Sequence, residues 1–295
     1  MLSVASTQKT PPKARKQSEM TAVARRLSQN SSAVIGFVVA TILVLMAIFA
    51  PLIAPYPYDK QNLLDSRQAP SAEHIFGTDE LGRDIFSRVV YGSRYSLSIG
   101  FLAVLFSSGI GMLLGAMAGY FGGVVDDIIM RLIDVIQSIP HILLAISISV
   151  VLGPGFFNTL LALGFGMITM ACRLTRASVL GVRNEEYLEA ATSINAGTGR
   201  IIFRHVLPNS FSPLLVSASM SIGNVIMAAA MLSFIGLGVQ PPLPEWGSMI
   251  AGGRTLIRSC PWMVTFPGIF IMLAVLSLNM FGDGLRDALD PKLKK

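Results

Sequence analysis

Six apolar segments constrain this chain more than any other feature: they run approximately over residues 33–54, 95–120, 128–152, 157–172, 211–239 and 263–281. A helix needs about 20 predominantly apolar residues to cross the hydrocarbon core of a bilayer. Only 14% of the 295 residues are charged. Soluble proteins carry roughly 25%, so there is too little charge here to cover a water-soluble body. The pattern predicts an all-α integral membrane protein with six transmembrane helices. It excludes a disordered chain, a collagen-like chain, a secreted disulfide scaffold and a free-standing soluble enzyme. The first segment is longer than the 7–15-residue apolar core of a signal peptide and lacks a small-residue cleavage site, so it reads as a retained span.

Six spans put both termini on one side, and the distribution of Lys and Arg chooses the side. With the N-terminus in the cytoplasm, the outer loops hold Lys60, Arg67, Arg83, Arg88, Arg94, Arg254 and Arg258, and the other 16 of the 23 Lys and Arg lie inside. The expected topology is therefore N-in/C-in. Residues 1–30 form a basic cytoplasmic tail, disordered around Pro11 and Pro12, with a short helix from Met20 to Leu27 able to lie on the lipid surface. Residues 31–295 form the transmembrane domain, with an outer loop over 56–94 and an inner loop over 173–209. Cys172 and Cys260 fall on opposite sides and cannot pair, since a disulfide needs Cα atoms within about 7 Å.

The second span carries Gly111, Gly115 and Gly119, a doubled GxxxG that lets another helix approach closely, in this chain or in a partner. The third holds ionisable groups, which are functional candidates wherever a bilayer surrounds them. Arg131 and Asp134, three apart, read as a structural ion pair in preference to a conducted-ion site. His141 follows the kinking Pro140 and is either a titrating group or a satisfied hydrogen-bonding one. Three histidines, His74, His141 and His205, are placed outside, within and inside the membrane, so they cannot gather as a metal site or catalytic pair. No catalytic residue and no metal site are expected. Gly197-Thr-Gly-Arg200 lacks the Lys-Ser/Thr of a phosphate loop, so any ATP chemistry belongs to another polypeptide.

The inner loop contains Arg183-Asn-Glu-Glu-Tyr-Leu-Glu-Ala-Ala-Thr-Ser-Ile-Asn195, of helical composition. Tyr187, Ala190, Ala191 and Ile194 form one apolar stripe, and Asn195 and Gly197 suit a left-handed helix end. The stripe can lie on lipid or enter a groove on a partner; its small alanines argue for the groove. Beyond the fifth span, Pro241-Pro-Leu-Pro-Glu-Trp246 is too rigid for a helix. Pro241, Pro242, Glu245 and Trp246 form an outer gate or an interfacial anchor.

These stretches carry a resemblance. Glu189-Ala-Ala191, with its helix-ending turn and Arg204-His-Val-Leu-Pro-Asn209, resembles the EAA loop of binding-protein-dependent ABC importer permeases. Phe76-Gly-Thr-Asp-Glu-Leu-Gly-Arg-Asp84, Leu232-Ser-Phe-Ile-Gly236 running on to Trp246-Gly247, and Phe281-Gly-Asp-Gly-Leu-Arg286 with its following Asp-Ala-Leu-Asp-Pro-Lys resemble the C-type subunit of the peptide/nickel branch. The likeness covers the chain from about residue 30 onward. Asn195 stands where the family usually has glycine, and His205 where it has an aliphatic residue.

The resemblance implies a permease that binds no cofactor itself and docks a helix into a groove on an ATPase. The coupling residues would be Glu186, Glu189, Ala190, Ala191, Asn195 and Gly197, with Pro208 fixing the return to the membrane. Implied partners are a second permease chain, two ATP-binding subunits (carrying ATP and Mg) and an extracytoplasmic solute-binding protein, all in or at a bacterial or archaeal inner membrane. No nucleic acid is expected. The implied cargo is dipeptides or oligopeptides, with nickel chelates, glutathione or another small solute as the alternative. Two readings of other classes are an ion-coupled secondary transporter using Arg131, Asp134 and His141, and an intramembrane enzyme that lacks the residues it would need.

Overall fold

The computed structural model describes residues 19–193 and 196–289. It is built of helices: α1 Glu19–Gln29, α2 Ser31–Ile48, α3 Ala50–Ile53, α4 Ile85–Phe121, α5 Gly123–Gln137, α6 His141–Leu152, α7 Phe156–Val182, α8 Glu186–Ser193, α9 Thr198–Ile201, α10 Leu207–Phe234, α11 Trp246–Gly253 and α12 Trp262–Leu289. Among the described residues, five helical stretches are long and apolar enough to cross a membrane; α5 and α6 together supply a sixth if that bent pair is one span.

Local chemistry sets the breaks. Asn30 caps α2 by accepting from the Ala33 N–H at 3.2 Å, and Asp84 caps α4 by accepting from Ser87 N–H at 2.7 Å. Gly122, at φ +64°, ends the 37-residue α4 in a conformation that side chains resist. Between α5 and α6 the chain bends by 84°. Pro140 has no N–H to continue the helix and forces the residue before it out of the helical region. The apolar segment over 128–152 is thus a broken element, a sharper departure than the kink its sequence suggested. The segment over 157–172 is longer than its hydropathy implied: α7 runs on to Val182, so Arg173 to Val182, read as loop, are helical.

α4 and α7 pack in parallel. A Cβ on Gly111 would lie 2.5 Å from Ala171 Cβ, one on Gly115 2.3 Å from the Cys172 carbonyl, and one on Gly119 2.9 Å from Val179 Cβ. The contacts rise together in number along both helices, and the GxxxG partner lies in this chain. Because α4 and α7 point the same way, the chain between Phe121 and Phe156 travels from one end of the pair to the other, and α5 with α6 makes that passage. α12 runs antiparallel to both α2 and α10: Gly36 lies against Ser277 and Phe281, Gly284 against Ala33, Gly282 against Met220, and Gly223 against Val275. Arg26 of the short N-terminal helix α1 reaches the Ala288 carbonyl at 3.5 Å. Residue 30, the α4–α5 turn, residues 183–193 and 196–198 and Ala288 therefore share one end of the bundle; residues 54–84, 153–155 and 235–262 share the other.

Candidate functional site

The segment read as a coupling loop is described over residues 183–193 and 196–207. Arg183 caps α7 and donates to the Gly119 carbonyl at 3.3 Å, joining the ends of α7 and α4. A turn over Asn184 and Glu185 follows, with Glu185 N–H on Val182 O at 3.1 Å and Leu188 N–H on Glu185 O at 2.9 Å. The eight-residue α8 then begins at Glu186, a carboxylate at the positive end of the helix dipole.

Leu188 seats this helix. It is 3% exposed, clustered with Ala116 of α4, Val179 of α7 and Ile201, Ile202, Val206 and Leu207 at the entry to α10. Leu188 thus shares one apolar cluster with the ends of three long helices. Tyr187, next along the helix and about 100° around it, is 40% exposed, and Glu186 is exposed. The predicted stripe therefore looks away from the bundle at Tyr187, while a residue outside the stripe holds the helix on. A large aliphatic residue off the stripe of a short amphipathic helix was the available signal for Leu188.

Glu189, Ala190 and Ala191 lie within α8. Asn195, with Ile194, falls outside the described residues. Gly197 departs from expectation: its backbone is extended, at φ −60° and ψ 142°, and it precedes α9 as N-cap instead of closing α8 in a left-handed turn. Pro208 is the second residue of α10 and lies in a continuous helical run, not at a corner. Before it, residues 202–206 wind as a π-helix, with Leu207 N–H bonded five residues back to Ile202 O. The wider turn gives the proline ring room against the preceding carbonyls.

The polar residues of α5 are arranged differently from the sequence reading. Asp134 pairs with Arg173 of α7, and Asp126 pairs through both oxygens with Arg176. Arg131 is exposed, and no ion pair joins it to Asp134. The i, i+3 spacing made the local pair available, but Asp134 meets α7, where a guanidinium is already waiting. Two carboxylates two turns apart on α5, faced by two arginines one turn apart on α7, were the legible sign. His141 opens α6 and packs its ring on Gly166 of α7, where a Cβ would lie 2.7 Å away. Arg131, Asp134 and His141 are not brought together as a relay.

At the opposite end, Pro241, Pro242, Glu245 and Trp246 fold inward. The Pro241–Pro242 bond is cis. Trp246 is fully buried, its indole N–H donating to Val89 O at 3.0 Å, so it is not an interfacial anchor. It begins α11, and Glu245 caps that helix by accepting from Gly247 and Ser248 N–H, both at 2.8 Å. Ser96 of α4 donates to the same carboxylate at 3.3 Å. Burial pushes the Glu245 carboxyl up from its ordinary value, against the pull of those donors.

Residues 54–84 form a folded cap, and residues 85–94 of the loop read over 56–94 are instead the first turns of α4. Asp84 is buried against His74 Nδ1 at 2.9 Å, and Asp79 receives Leu81 N–H at 2.9 Å, Arg83 N–H at 3.0 Å and the Arg83 side chain. Gly77 and Gly82 turn at positive φ, Phe76 stacks on Phe266 at 3.9 Å, and Trp262 donates to Thr78 O at 3.2 Å. Arg88 reaches the carbonyls of Tyr58 and Pro242, and Arg94 those of Ala47 and Ile48. These outer arginines serve the fold, which weakens their weight against the inside-positive bias.

Comparison with known proteins places this geometry. Residues 111–295 match the family described as binding-protein-dependent transport system inner membrane component, and residues 18–70 match the N-terminal transmembrane domain of oligopeptide transport permease C. The dipeptide transport system permease protein of Alkalihalophilus pseudofirmus is 48% identical, over 92% of this chain and 89% of its own length. The oligopeptide transport system permease protein of Bacillus subtilis is 41% identical over 92% and 88%. The glutathione transport system permease protein of Pectobacterium atrosepticum is 44% identical over 92% and 90%. Among solved structures, the methionine ABC transporter MetNI in an inward-facing form shares the fold, with a TM-score of 0.55 at 18% identity over 69% of this chain and 97% of that one.

Proposed function

The chain belongs to the family of binding-protein-dependent transport system inner membrane components, and on that premise we propose that it forms, with a second related permease chain, the pathway of an ABC importer for dipeptides and oligopeptides. It is a multi-pass inner-membrane permease subunit. In this reading ATP hydrolysis belongs to two partner subunits, with ATP and Mg bound there, and an extracytoplasmic binding protein delivers the cargo. The peptide assignment follows relatives named for dipeptides and oligopeptides at 41–48% identity over most of the chain.

Six crossings, with both termini cytoplasmic, fit this machine. The parallel packing of α4 and α7 supports counting α5 and α6 as one crossing, and the antiparallel packing of α2 on α12 supports an even total. The buried Leu188 carries the mechanical reading. A push delivered to α8 by a closing ATPase would reach α4, α7 and α10 through one apolar contact, tilting them as a group. Glu186, Glu189, Ala190, Ala191, Asn195 and Gly197 are the residues offered to the ATPase, and Pro208 lies where the push enters α10.

The test uses the importer reconstituted in proteoliposomes with its companion permease, ATPases and binding protein. Tyr187→Asp is expected to leave the two permeases associated while lowering ATP-driven dialanine uptake at least tenfold. Undiminished uptake in this variant would remove α8 from the coupling path. Dialanine uptake by the isolated chain, driven by an ion gradient, would refute the importer reading itself.

A further inference from the structure

The exposed faces of α2 and α10 have different chemistry. On α2 the exposed large side chains are Val34, Ile35, Phe37, Val38, Ile42, Val44, Leu45 and Ile48, a surface made for acyl chains. On α10 the face running through Pro213, Ser217, Asn224, Met227 and Met231 follows helical spacing of 4, 7, 3 and 4 residues. Met227 is 45% and Met231 54% exposed; Asn224 is exposed and Ser217 half-buried.

Asn224 is the decisive residue. It lies ten residues before Phe234, the outer end of α10. At 1.5 Å per residue that places it about 15 Å deep, near the middle of the hydrocarbon. Its amide has no hydrogen-bond partner among the described residues. An amide facing lipid there would cost several kcal/mol, so this face is turned toward something polar. One turn earlier on the same helix, between α4, α7 and α10, lies a small cavity lined by Ser107, Ser108, Ser217 and Ser221 and otherwise by methionine and aliphatic side chains. The Ser107 and Ser221 hydroxyls donate to backbone carbonyls of their own helices, at 3.1 and 2.8 Å, and keep their oxygens free to accept. Ser217 belongs to both the cavity and the stripe. The ionised pairs Asp134–Arg173 and Asp126–Arg176 are absent from this lining.

We propose that this Ser–Asn–Met face of α10, with the serine-lined cavity beside it, is this chain's wall of the translocation pathway and exchanges hydrogen bonds with the main chain of the passing peptide. The inference rests on the importer reading and adds a recognition chemistry to it. An amide and hydroxyls match peptide C=O and N–H groups, which every peptide has. Thioethers adapt to side chains of different shape. With no ionised group in the lining, neither the charge of the cargo's side chains nor that of its termini is selected at this depth.

Two experiments on the reconstituted importer test it. Single cysteines at Ser217, Asn224 and Ile42 are exposed to a charged, membrane-impermeant methanethiosulfonate; the native Cys172 and Cys260 are buried and give little background. Positions 217 and 224 are expected to react at least tenfold faster than 42, and more slowly during dialanine turnover. In parallel, Asn224→Leu is expected to keep ATPase stimulation by loaded binding protein but lower dialanine kcat at least fivefold, while Asn224→Gln retains most of it. Equal, slow labelling at 224 and 42 with normal uptake by Asn224→Leu would make this a lipid face and overturn the inference, leaving the importer reading intact. Unreactive thiols at 217 and 224 that cross-link to the companion permease would assign the face to a subunit interface and overturn it as well. If the wild-type importer moves no dialanine at all, the peptide reading falls and the main-chain recognition with it.

Discussion

At the end of the bundle proposed as outer, residues 54–84, α4 and residues 235–262 are held by directional polar bonds: His74 to Asp84, Trp262 to Thr78, Trp246 to Val89, and Ser96 to Glu245. At the end proposed as inner, α8 is held through Leu188, which lies in an apolar cluster with residues of α4, α7 and the start of α10. Buried hydrogen bonds hold one geometry and are expensive to leave unmade, whereas apolar contact is non-directional and survives small displacements. The first end is therefore built to keep its shape, and the second to stay attached through small displacements, as the proposed docking of a binding protein and coupling to an ATPase would require.

The largest expected effect is at the outer end. Asp84→Ala removes the cap of α4 and leaves the His74 ring buried without its partner. The loss should be about 3 kcal/mol, read as a lower midpoint of thermal unfolding in detergent and a reduced yield of assembled complex. A change below about 0.5 kcal/mol would show that the outer network is not holding the fold.

At the inner end, Leu188→Ala empties the seat under α8. Burial of a leucine at a well-packed site is worth about 2–5 kcal/mol, but here the loss is confined to undocking one short helix. The unfolding midpoint should change less than for Asp84→Ala, while ATP hydrolysis continues with uptake reduced at least tenfold. A variant whose hydrolysis and uptake fall in the same proportion would contradict the picture of Leu188 as the mechanical link.

The smallest effect is the most diagnostic of burial. The folded-state pKa of Glu245 is raised, so the native protein holds a proton that the unfolded chain releases above the ordinary value of 4.5. Its contribution to stability is fully present below that value and is lost as pH rises from there through the raised native value. Glu245→Gln keeps a neutral acceptor in place, so melting temperature should depend less on pH across that window than in the wild type. Parallel curves for the two proteins would mean that the carboxyl is ionised in the fold and its cap bonds outweigh its burial.

Several elements were legible because the sequence alone carries their cause. Segment lengths match a bilayer, Pro140 marks a bend through its missing N–H, and Gly111, Gly115 and Gly119 repeat at one-turn spacing; the start of α4 at Ile85, ten residues ahead of the apolar segment, was not read. The amphipathic pattern from Glu186 found α8. Other features were illegible for a common reason. In a soluble protein the apolar face of a helix identifies the core, but in a membrane the lipid face is apolar as well, so periodicity does not separate buried from exposed. Hence an interfacial anchor was one of two readings of Trp246 although it is buried, and Leu188 was passed over for the stripe beside it.

By itself, then, the sequence determined that this chain is helical and lives in a membrane, which follow from composition and spacing, and its resemblance to known motifs pointed to an importer permease. Tertiary structure decided the rest: that the GxxxG face meets α7 in parallel, that Asp134 belongs to Arg173 and not to Arg131, and that Glu245 ties α11 to α4. It also decided that Asn224 is left without a hydrogen-bond partner among the described residues. These are questions of which residue faces which across helices far apart in the chain, and only the packing of α4, α7, α10 and α12 answers them.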